Sequence, residues 1–450
     1  MPIYSDKDPI VAIATASGRG GVGIVRLSAD DSFIEGFIKD FFGPSEHFKA
    51  RYAHYRPFKD RNGNQIDEGL ALYFPAPKSY TGESVLELQA HGGPVILKLL
   101  LQEILRVGKS KGLRLAEPGE FTKRAFLNGR IDLSQAEAVA DLIDATTEGA
   151  ARAASRSLSG AFSSCIHKVG DKVIELRALI EAILDFPEEE IDFIQSTQAR
   201  ERLLSITKEF EELMHQSQQG SILREGVTVV LVGSPNVGKS SLMNQLSGSD
   251  VAIVTDVAGT TRDKIENQIS IEGVALRLVD TAGVRETTDK VESIGIERTL
   301  QAVEGADIVL HLIDATNENS DEEGQKILKQ VMQRVSAGVP VLQVFNKCDL
   351  NDEINWKGEW IGISAKTGEG IPELKQKLLT LVGWENKPES TFLARERHLE
   401  ALKDAYEHLK LANQFVNLEN PPLYLLAEEL RLCNESLGFI LGETTPDDLL

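Results

Sequence analysis

Long apolar runs are absent from this sequence. No stretch of about 18 uncharged apolar residues occurs, so we expect no helix that spans a membrane. The first ten residues include Asp6, Lys7 and Asp8 and have no apolar centre, which is unlike a secretory signal. They also lack the Arg- and Ser-rich composition of a transit peptide. The sequence therefore predicts a chain that is neither secreted nor imported into an organelle.

Cysteine is scarce as well. Its three positions, Cys165, Cys348 and Cys433, are too few and too scattered for a disulfide framework or a zinc site. Cys433 lies in a predicted helix, where we expect it to be a core residue. This cysteine usage is typical of a reducing compartment, and it predicts a cytoplasmic location.

An excess of basic residues is also missing. The chain has 48 Lys and Arg against 69 Asp and Glu, a net charge of −21, although the charges of residues 1–120 balance. A strongly acidic chain is a poor candidate for non-specific nucleic-acid binding, because a basic face is what neutralises phosphates. Any nucleic acid bound by this chain would need a local basic patch.

The length of 450 residues predicts two or three domains. Residues 1–118 have a mixed strand and helix pattern, and residues 119–220 are helical. Ser134 and Glu137 are spaced as a capping box that would open one of these helices. Short apolar strands separated by helices follow in residues 221–383, as in a mostly parallel sheet, and residues 384–450 are helical again.

Residues 233–240 match the pattern Gly-x-x-x-x-Gly-Lys-Ser, with the sequence GSPNVGKS. In such a P-loop the backbone N–H groups cradle phosphates, Lys239 reaches the β- and γ-phosphates, and the Ser240 hydroxyl ligates Mg²⁺. The alternative is a chance glycine-rich turn. The flanking apolar strand and helix favour the P-loop.

Further motifs in the expected order predict guanine as the base. In the sequence Asp-Thr-Ala-Gly at 280–283, Asp280 can hold Mg²⁺ through water and the Gly283 amide can sense the γ-phosphate. Thr261 lies where a switch loop completes the Mg²⁺ shell. Residues 346–349 read Asn-Lys-Cys-Asp, and Asp349 can accept hydrogen bonds from guanine N1–H and the 2-amino group. Residues 364–366, Ser-Ala-Lys, would contact the guanine oxygen. The predicted fold class is therefore multidomain α/β plus α, with a discontinuous helical domain and an inserted Ras-like P-loop GTPase domain.

The water-positioning glutamine of Ras-like enzymes is absent, since the residue after Asp-Thr-Ala-Gly is Val284. Another group must orient the water, and a cation must stabilise the transition state. Arg262 and Arg285 are candidates, although solvation at the surface is the commoner role of arginine.

The chain resembles the MnmE (TrmE) family of tRNA-modifying GTPases along its whole length. The segments that carry the resemblance are SGRGGVGIVR at 17–26, SYTGE at 79–83, LELQAHGG at 86–93, AEPGEFTKRAFLNGR at 116–130, Asn236 in the P-loop, and TDVAGTTRD at 255–263. The resemblance implies K⁺-dependent hydrolysis of GTP, with two G domains meeting face to face. The implied K⁺ ligands are Asn236, Thr255, Val257 and Thr260.

By the same resemblance, Glu292 and Lys239 are the catalytic residues, with Glu292 orienting the water; without it, Glu292 would be interpreted as a solvent-exposed helix residue. The predicted nucleotide contacts are Asn236, Val237, Gly238, Lys239, Ser240, Ser241, Thr255, Thr260, Thr261, Asp280, Thr281, Ala282, Gly283, Asn346, Lys347, Asp349, Ser364, Ala365 and Lys366. The predicted Mg²⁺ ligands are Ser240, Thr261 and Asp280.

The resemblance further implies that the N-terminal α+β domain binds 5-formyl-tetrahydrofolate or a related folate and forms a homodimer. The matching contacts are Arg26, Glu87 and Arg130. Arginines suit the glutamate carboxylates of a folate, and Glu87 can accept hydrogen bonds from a pterin. An ion pair between Arg26 and Glu87 is the alternative, because both lie in apolar strands.

The family acts with an FAD-dependent, MnmG/GidA-like partner to place an aminomethyl-type group on C5 of the wobble uridine of certain tRNAs.

Members usually end in a Cys-Ile-Gly-Lys-like tail, whereas this sequence ends at Leu450 with Asp-Asp-Leu-Leu. Either the sequence is cut short or this member lacks the tail; for the sequence as given, we expect GTP hydrolysis to persist and the tRNA chemistry to be weakened or lost. The alternative function is a GTP-switched ribosome-assembly factor, which would usually carry a basic RNA-binding module. A simple ATPase is a third hypothesis.

Overall fold

The computed structural model of the protein describes residues 7–185, 198–248, 268–280, 303–316, 321–350, 360–385 and 391–442. These residues form two compact units, one reaching Val139 and the other starting at Ala140. Within the described ranges, no helix combines the length and apolarity that crossing a membrane requires.

The N-terminal unit is built on one six-stranded sheet, with the order β3-β4-β5-β2-β1-β6. Its strands are β1 (Ile10–Ile13), β2 (Gly20–Ala29), β3 (His54–Lys59), β4 (Gln65–Phe74), β5 (Ser84–Gly92) and β6 (Arg114–Leu115). Its helices are α1 (Asp31–Phe42), α2 (Pro94–Gly108) and α3 (Glu120–Leu127), with a 3₁₀ turn at Lys109–Lys111. β1 pairs in parallel with β6, and the other neighbours are antiparallel.

Strand β5 shows why this sheet has one buried face. Leu86, Leu88 and Ala90 are buried in the core shared with α1 and α2, whereas Glu87 and Gln89 are only partly buried. Successive side chains of a strand point to opposite faces, so the alternation of apolar Leu86, Leu88 and Ala90 with polar Glu87 and Gln89 in the sequence predicts this arrangement. On β5, the second face carries Glu87 and Gln89 next to the buried Val85.

The start of helix α4 (Leu133–Asp144) differs from the prediction. The capping box consists of Asp132 and Gln135: Asp132 Oδ1 accepts from the Gln135 N–H over 2.9 Å, and Gln135 Oε1 accepts from the Asp132 N–H over 3.0 Å. The predicted pair of Ser134 and Glu137 was therefore wrong by two residues. Aspartate is as good an N-cap as serine, and Asp132 comes first in the chain.

A helical bundle lies in the second unit. Its helices are α5 (Glu148–Leu158), α6 (Ala161–Asp185), α7 (Ala199–Glu225), α11 (Glu396–Val416) and α12 (Leu423–Leu441). Phe162 and Phe210 share one buried core with Leu409 and Leu430, so segments from both sides of the G domain pack together. This confirms a discontinuous helical domain. Cys433 is fully buried in the same core, as predicted.

The G domain is built on the second six-stranded sheet, with the order β12-β11-β10-β7-β9-β8. Its strands are β7 (Val227–Val232), β8 (Gln268–Ile271), β9 (Val274–Asp280), β10 (Ile308–Asp314), β11 (Val341–Asn346) and β12 (Ile361–Gly362). Its helices are α8 (Lys239–Ser247), α9 (Glu322–Met332) and α10 (Ile371–Leu381), with a 3₁₀ turn at Cys348–Leu350. All neighbours are parallel except the β8–β9 hairpin. The carboxyl ends of the parallel strands therefore form one edge, where such sheets bind ligands.

Candidate nucleotide-binding site

The P-loop connects the fully buried strand β7 to helix α8. Asn236 and Gly238 have φ values of +62° and +102°, in the left-handed region. A Cβ atom on Gly238 would lie 2.2 Å from Asn346 Nδ2, so a side chain at this position would collide with the neighbouring loop. Glycine is required here both for the turn and for the close approach.

Lys239 is the first residue of α8 and is only 8% exposed. Its Nζ donates to the carbonyl oxygens of Gly233 and Ser234 over 2.7 and 3.1 Å. The ammonium group is thereby held at the P-loop, beside the N-terminus of a helix. Both features create positive potential that suits a phosphate.

Two of the three predicted Mg²⁺ ligands are described. Ser240 is exposed in the first turn of α8, and Asp280 ends β9, where its register partner on β7 is Leu231. Hydroxyl and carboxylate oxygens are the hard ligands that Mg²⁺ prefers. Their placement after two adjacent parallel strands fits a magnesium ion at this edge.

Asn346 joins three of the predicted loops. Its side chain is 2% exposed; Nδ2 donates to the Val237 carbonyl over 2.8 Å, and Oδ1 accepts from the Ala365 N–H over 2.9 Å. The P-loop, the Asn-Lys-Cys-Asp loop and the Ser-Ala-Lys loop are therefore fixed to one side chain. Asp349 lies in the 3₁₀ turn that follows and is half-buried.

Lys347 has a φ of +69°, and its Nζ lies 2.6 Å from Asp314 Oδ2 at the end of β10. Asp314 Oδ1 also accepts from the N–H and hydroxyl of Thr316 over 3.0 and 2.7 Å. Burial alone would raise the pKa of Asp314, but the hydrogen bonds from Lys347 and Thr316 outweigh it and lower the pKa. Sequence reasoning did not identify Asp314 or Thr316 as site residues.

The Ser-Ala-Lys loop is internally ordered. Ser364 is fully buried, and its Oγ accepts from the Thr367 N–H over 3.1 Å. Ala365 is buried beside Asn346, whereas Lys366 is exposed. Of the predicted nucleotide contacts, Ser241 is also exposed on α8.

The remaining predicted site residues lie outside the described ranges. They are Thr255, Val257, Thr260, Thr261, Thr281, Ala282, Gly283 and Glu292, together with Val284 and the two candidate arginines Arg262 and Arg285.

A second candidate site lies on the N-terminal sheet. Arg26 and Glu87 are register partners on β2 and β5, and Arg26 Nε donates to Glu87 Oε1 over 2.7 Å. The ion pair that the sequence left as an alternative is therefore present. The Tyr80 and Phe121 rings flank the Arg26 guanidinium, with centroids 5.1 and 5.6 Å from its central carbon.

The third predicted folate residue, Arg130, is exposed and lies against the loop that carries Tyr80. A Cβ atom on Gly82, whose φ is +82°, would be 3.1 Å from Arg130 Cγ. Asn128 Nδ2 donates to the Thr81 carbonyl over 2.7 Å and attaches the end of α3 to the same loop. Tyr80 and Phe121 were not predicted; their positions near Arg26 depend on this loop packing.

A buried ion network supports that loop. Arg124 is 2% exposed and donates to Glu83 over 3.0 Å and to Glu120 over 2.8 Å; Arg114 binds Glu120 over 2.7 Å. Burial alone would raise the pKa of Glu120, but hydrogen bonds from Arg114, the Glu117 N–H and Arg124 lower it to about 2. Glu120 therefore stays ionised, and the network fixes α3 to residues 79–83.

Two family models match this chain. Residues 133–450 match the MnmE helical domain, and residues 9–130 match the domain described as GTP-binding protein TrmE N-terminus. Together they cover nearly all of the chain, including the P-loop.

Full-length relatives are similar along the whole sequence. The tRNA modification GTPase MnmE of Bordetella parapertussis is 54% identical over 451 residues, which is 100% of this chain and 98% of that protein. The MnmE of Paraburkholderia xenovorans is 51% identical over 459 residues, 100% of this chain and 97% of that protein. The MnmE of Cupriavidus metallidurans is 52% identical over 462 residues, which is 98% of this chain and 96% of that protein.

Among solved structures, the FeoB G domain from Methanococcus jannaschii is 27% identical, over 35% of this chain and 97% of that one, with a TM-score of 0.26. Because this likeness is weak, the relationship to known proteins rests on the family models and the full-length relatives.

Proposed function

Because this chain belongs to the MnmE family of tRNA modification GTPases, we propose that it couples K⁺-dependent GTP hydrolysis to modification of the wobble uridine of certain tRNAs. The chain is a GTPase by its family. The K⁺ dependence, the one-carbon donor and the partner protein are the finer parts of the proposal.

The observation that carries the nucleotide assignment is the junction at Asn346. One buried side chain connects the P-loop through Val237 and the Ser-Ala-Lys loop through Ala365. Asp349 follows three residues later, where its carboxylate would accept two hydrogen bonds from guanine. Adenine has no donors in that arrangement, so the site selects GTP.

Mg²⁺ would be held by Ser240 and Asp280, with Thr261 as the third protein ligand. When bound, the ion neutralises developing charge on the phosphates. Lys239 would bind the β- and γ-phosphates, exchanging its present bonds to the Gly233 and Ser234 carbonyls for phosphate oxygens.

K⁺ would be held by Asn236 together with Thr255, Val257 and Thr260. It would supply the positive charge that an arginine finger supplies in other GTPases. Val284 offers no polar atom to the attacking water, so Glu292 would orient it. The exposed, left-handed Asn236 is the described residue that supports this cation site.

Arg26, Glu87 and Arg130 would bind 5-formyl-tetrahydrofolate or a related tetrahydrofolate as the one-carbon donor. The Arg26–Glu87 pair remains partly exposed, with 24% and 14% of the side-chain surfaces accessible. A ligand can therefore reach both charges: the guanidinium would bind a carboxylate, and Glu87 would accept from a pterin N–H. Tyr80 and Phe121 would flank the ligand beside Arg26.

The remaining parts of the proposal concern location and partners. The protein would act in the cytoplasm as a homodimer, together with an FAD-dependent partner and tRNA. A carboxymethylaminomethyl or aminomethyl group would be the product on C5 of the uridine. These statements are supported by family membership.

Nucleotide selection can be tested with Asp349→Asn. The variant is expected to lose GTP hydrolysis by about 100-fold and to gain hydrolysis of xanthosine triphosphate, because an amide can pair with the 2-oxo group of xanthine. Glu323→Gln, an exposed acid on α9, is the matched control and should keep the GTP rate. If Asp349→Asn retained its GTP preference, the guanine assignment of this loop would be overturned.

A further inference from the structure

The edge of the N-terminal sheet carries a local basic segment in this acidic chain. Lys or Arg occupies positions 49, 51, 56, 59 and 61, whereas the acids between residues 46 and 61 are Glu46 and Asp60. The segment leads into and includes β3. This strand pairs with β4 on one side only and is therefore an edge strand of the sheet. It is the kind of local patch that the overall charge of −21 conceals.

Aromatic rings are stacked among these cations. His54 stacks on Phe48 with centroids 4.5 Å apart, and Tyr52 meets His54 edge-on at 5.2 Å. Lys49 Nζ lies 5.7 Å from the Tyr52 ring centroid, and the Arg56 guanidinium lies 6.0 Å from that of Phe48. We call these five residues, together with the neighbouring Arg51, the β3 cluster.

The β3 cluster is anchored on one side and open on the other. Phe48 is 2% exposed and belongs to the core, whereas Tyr52 is 56% exposed. The Lys49 N–H donates to His54 Nε2 over 2.9 Å, which fixes the imidazole behind the tyrosine. Tyr52 is thus a supported, solvent-facing ring, and a partner can stack on it with little loss of side-chain freedom.

Positive charge remains available around this ring. Arg56 is paired with Glu46 over 3.0 Å, and the Asp60 carboxylate accepts from the N–H groups of Asn62 and Asn64 within its own turn. Lys49 and Arg51 are exposed and have no ion pair with any residue in the described ranges, and the Arg51 guanidinium donates to the Lys78 carbonyl without losing its charge.

The chemistry of β3 disfavours a second strand as the partner. Pro57 has no N–H to donate to an added strand, and Arg56 and Lys59 place cations along the edge. Proline and charged residues are features by which proteins prevent edge-to-edge pairing. A polyanion with stacking bases fits the same surface better than a β-strand does.

We infer that the β3 cluster binds single-stranded RNA, with a base stacking on Tyr52 and phosphates contacting Lys49 and Arg51. Exposed aromatic rings flanked by cations are how proteins bind unpaired nucleotides. The inference rests on the proposed function, since a tRNA anticodon loop presents such unpaired bases.

The test uses the full chain and a fluorescein-labelled 17-nucleotide RNA hairpin with a seven-nucleotide loop, with fluorescence anisotropy as the readout. Tyr52→Ala is expected to weaken hairpin binding by about tenfold, which is typical for loss of one stacked base. The double variant Lys49→Gln/Arg51→Gln is expected to weaken binding. The slope of log K against log salt concentration should also become less negative, by about 0.7 for each phosphate contact that is lost. A fully paired RNA of equal length should bind more weakly and respond little to Tyr52→Ala.

Tyr424→Ala and Lys98→Gln are the matched controls, because both side chains are exposed and lie elsewhere in the chain. Absence of hairpin binding by the unmodified protein, or equal losses in the controls, would overturn the inference. So would a Tyr52→Ala variant that changed oligomeric state in sedimentation but not RNA affinity, since the cluster would then be a protein interface. GTP hydrolysis is measured on every variant: if it persists while the RNA result fails, only this inference falls.

Discussion

The side-chain amide of Asn346 donates a hydrogen bond to the carbonyl oxygen of Val237 over 2.8 Å. The two residues are 109 positions apart in sequence, and the bond connects the Asn-Lys-Cys-Asp loop to the P-loop. The same side chain accepts from the Ala365 N–H, so the three loops share one buried junction. We therefore expect a change at this junction to affect base recognition and phosphate binding together.

Asn346→Ala is expected to weaken binding of both GDP and GTP by about 10- to 100-fold. The substitution leaves the buried Val237 carbonyl and Ala365 N–H without their partner, at a cost of roughly 1–3 kcal/mol for each group. Equilibrium binding of fluorescent guanine nucleotides measures the effect. Asn244→Ala, at an exposed position on α8, is the control and should bind normally. Unchanged affinity in Asn346→Ala would show that the loops are placed without this junction.

Asp314→Asn is expected to raise the Kd for guanine nucleotides about fivefold without changing kcat at saturating GTP. The carboxylate holds Lys347, and the pair is about one quarter to one third exposed, so we discount its contribution to about 1 kcal/mol. Thr316→Val, which removes one hydrogen bond to Asp314, should shift the Kd in the same direction by less. A fall in kcat with constant affinity would contradict a positioning role for Asp314.

Stability of the N-terminal unit is expected to depend on the ionisation of Glu120. The pKa of Glu120 is about 2 in the folded protein, below the usual 4.5. Between pH 2 and pH 4.5 the unfolded state therefore binds more protons than the folded state. The stabilisation is therefore complete above about pH 4.5 and is lost as the pH falls towards 2. Glu120→Gln should destabilise the unit by about 3 kcal/mol at pH 7.

Calorimetry of the unmodified protein and Glu120→Gln between pH 7 and pH 3 checks this pH dependence. The difference in unfolding temperature should shrink towards pH 3, and Glu117→Gln, an exposed neighbour, should follow the unmodified protein. A difference that stayed constant across this range would mean that the ion network does not stabilise α3 through the Glu120 charge.

Folate binding can be measured by isothermal titration with 5-formyl-tetrahydrofolate. Arg26→Ala and Arg130→Ala are each expected to lower the affinity by at least about tenfold, because a charge-assisted contact to a carboxylate or pterin is lost. Arg106→Ala, an arginine that is 49% exposed on α2, is the control. No binding to the unmodified protein, or equal affinity in all variants, would leave the Arg26–Glu87 pair as a purely structural ion pair.

Local sequence patterns were sufficient for elements with a clear apolar pattern, such as β5 and β7, and for the order of the nucleotide motifs. The alternation in β5 placed Glu87 opposite the core, and the sequence Gly-Lys-Ser after a buried strand placed Lys239 at a helix N-terminus. Contacts between distant segments could not be derived in this way. The bond from Lys347 to Asp314 depends on the pairing of β10 with β11, and the register of two strands is not encoded in either one alone.

The same limit applies to the N-terminal unit. Tyr80 and Phe121 meet Arg26 because the network around Arg124 holds α3 against the loop, and those partners come from separate parts of the chain. The overall negative charge similarly hid the basic segment around Tyr52. Composition averages over a surface, whereas binding depends on which side chains are neighbours.

The most direct measurement of the central claim is steady-state GTP hydrolysis in KCl and in NaCl at matched ionic strength, for the unmodified protein and for Asn236→Ala. We expect K⁺ to accelerate the unmodified protein at least about tenfold over Na⁺, because in the proposed mechanism the ion supplies the charge that an arginine finger supplies in other GTPases. Asn236→Ala should lose that acceleration and hydrolyse GTP slowly in both salts. Equal rates of the unmodified protein in KCl and NaCl would contradict the K⁺-dependent mechanism.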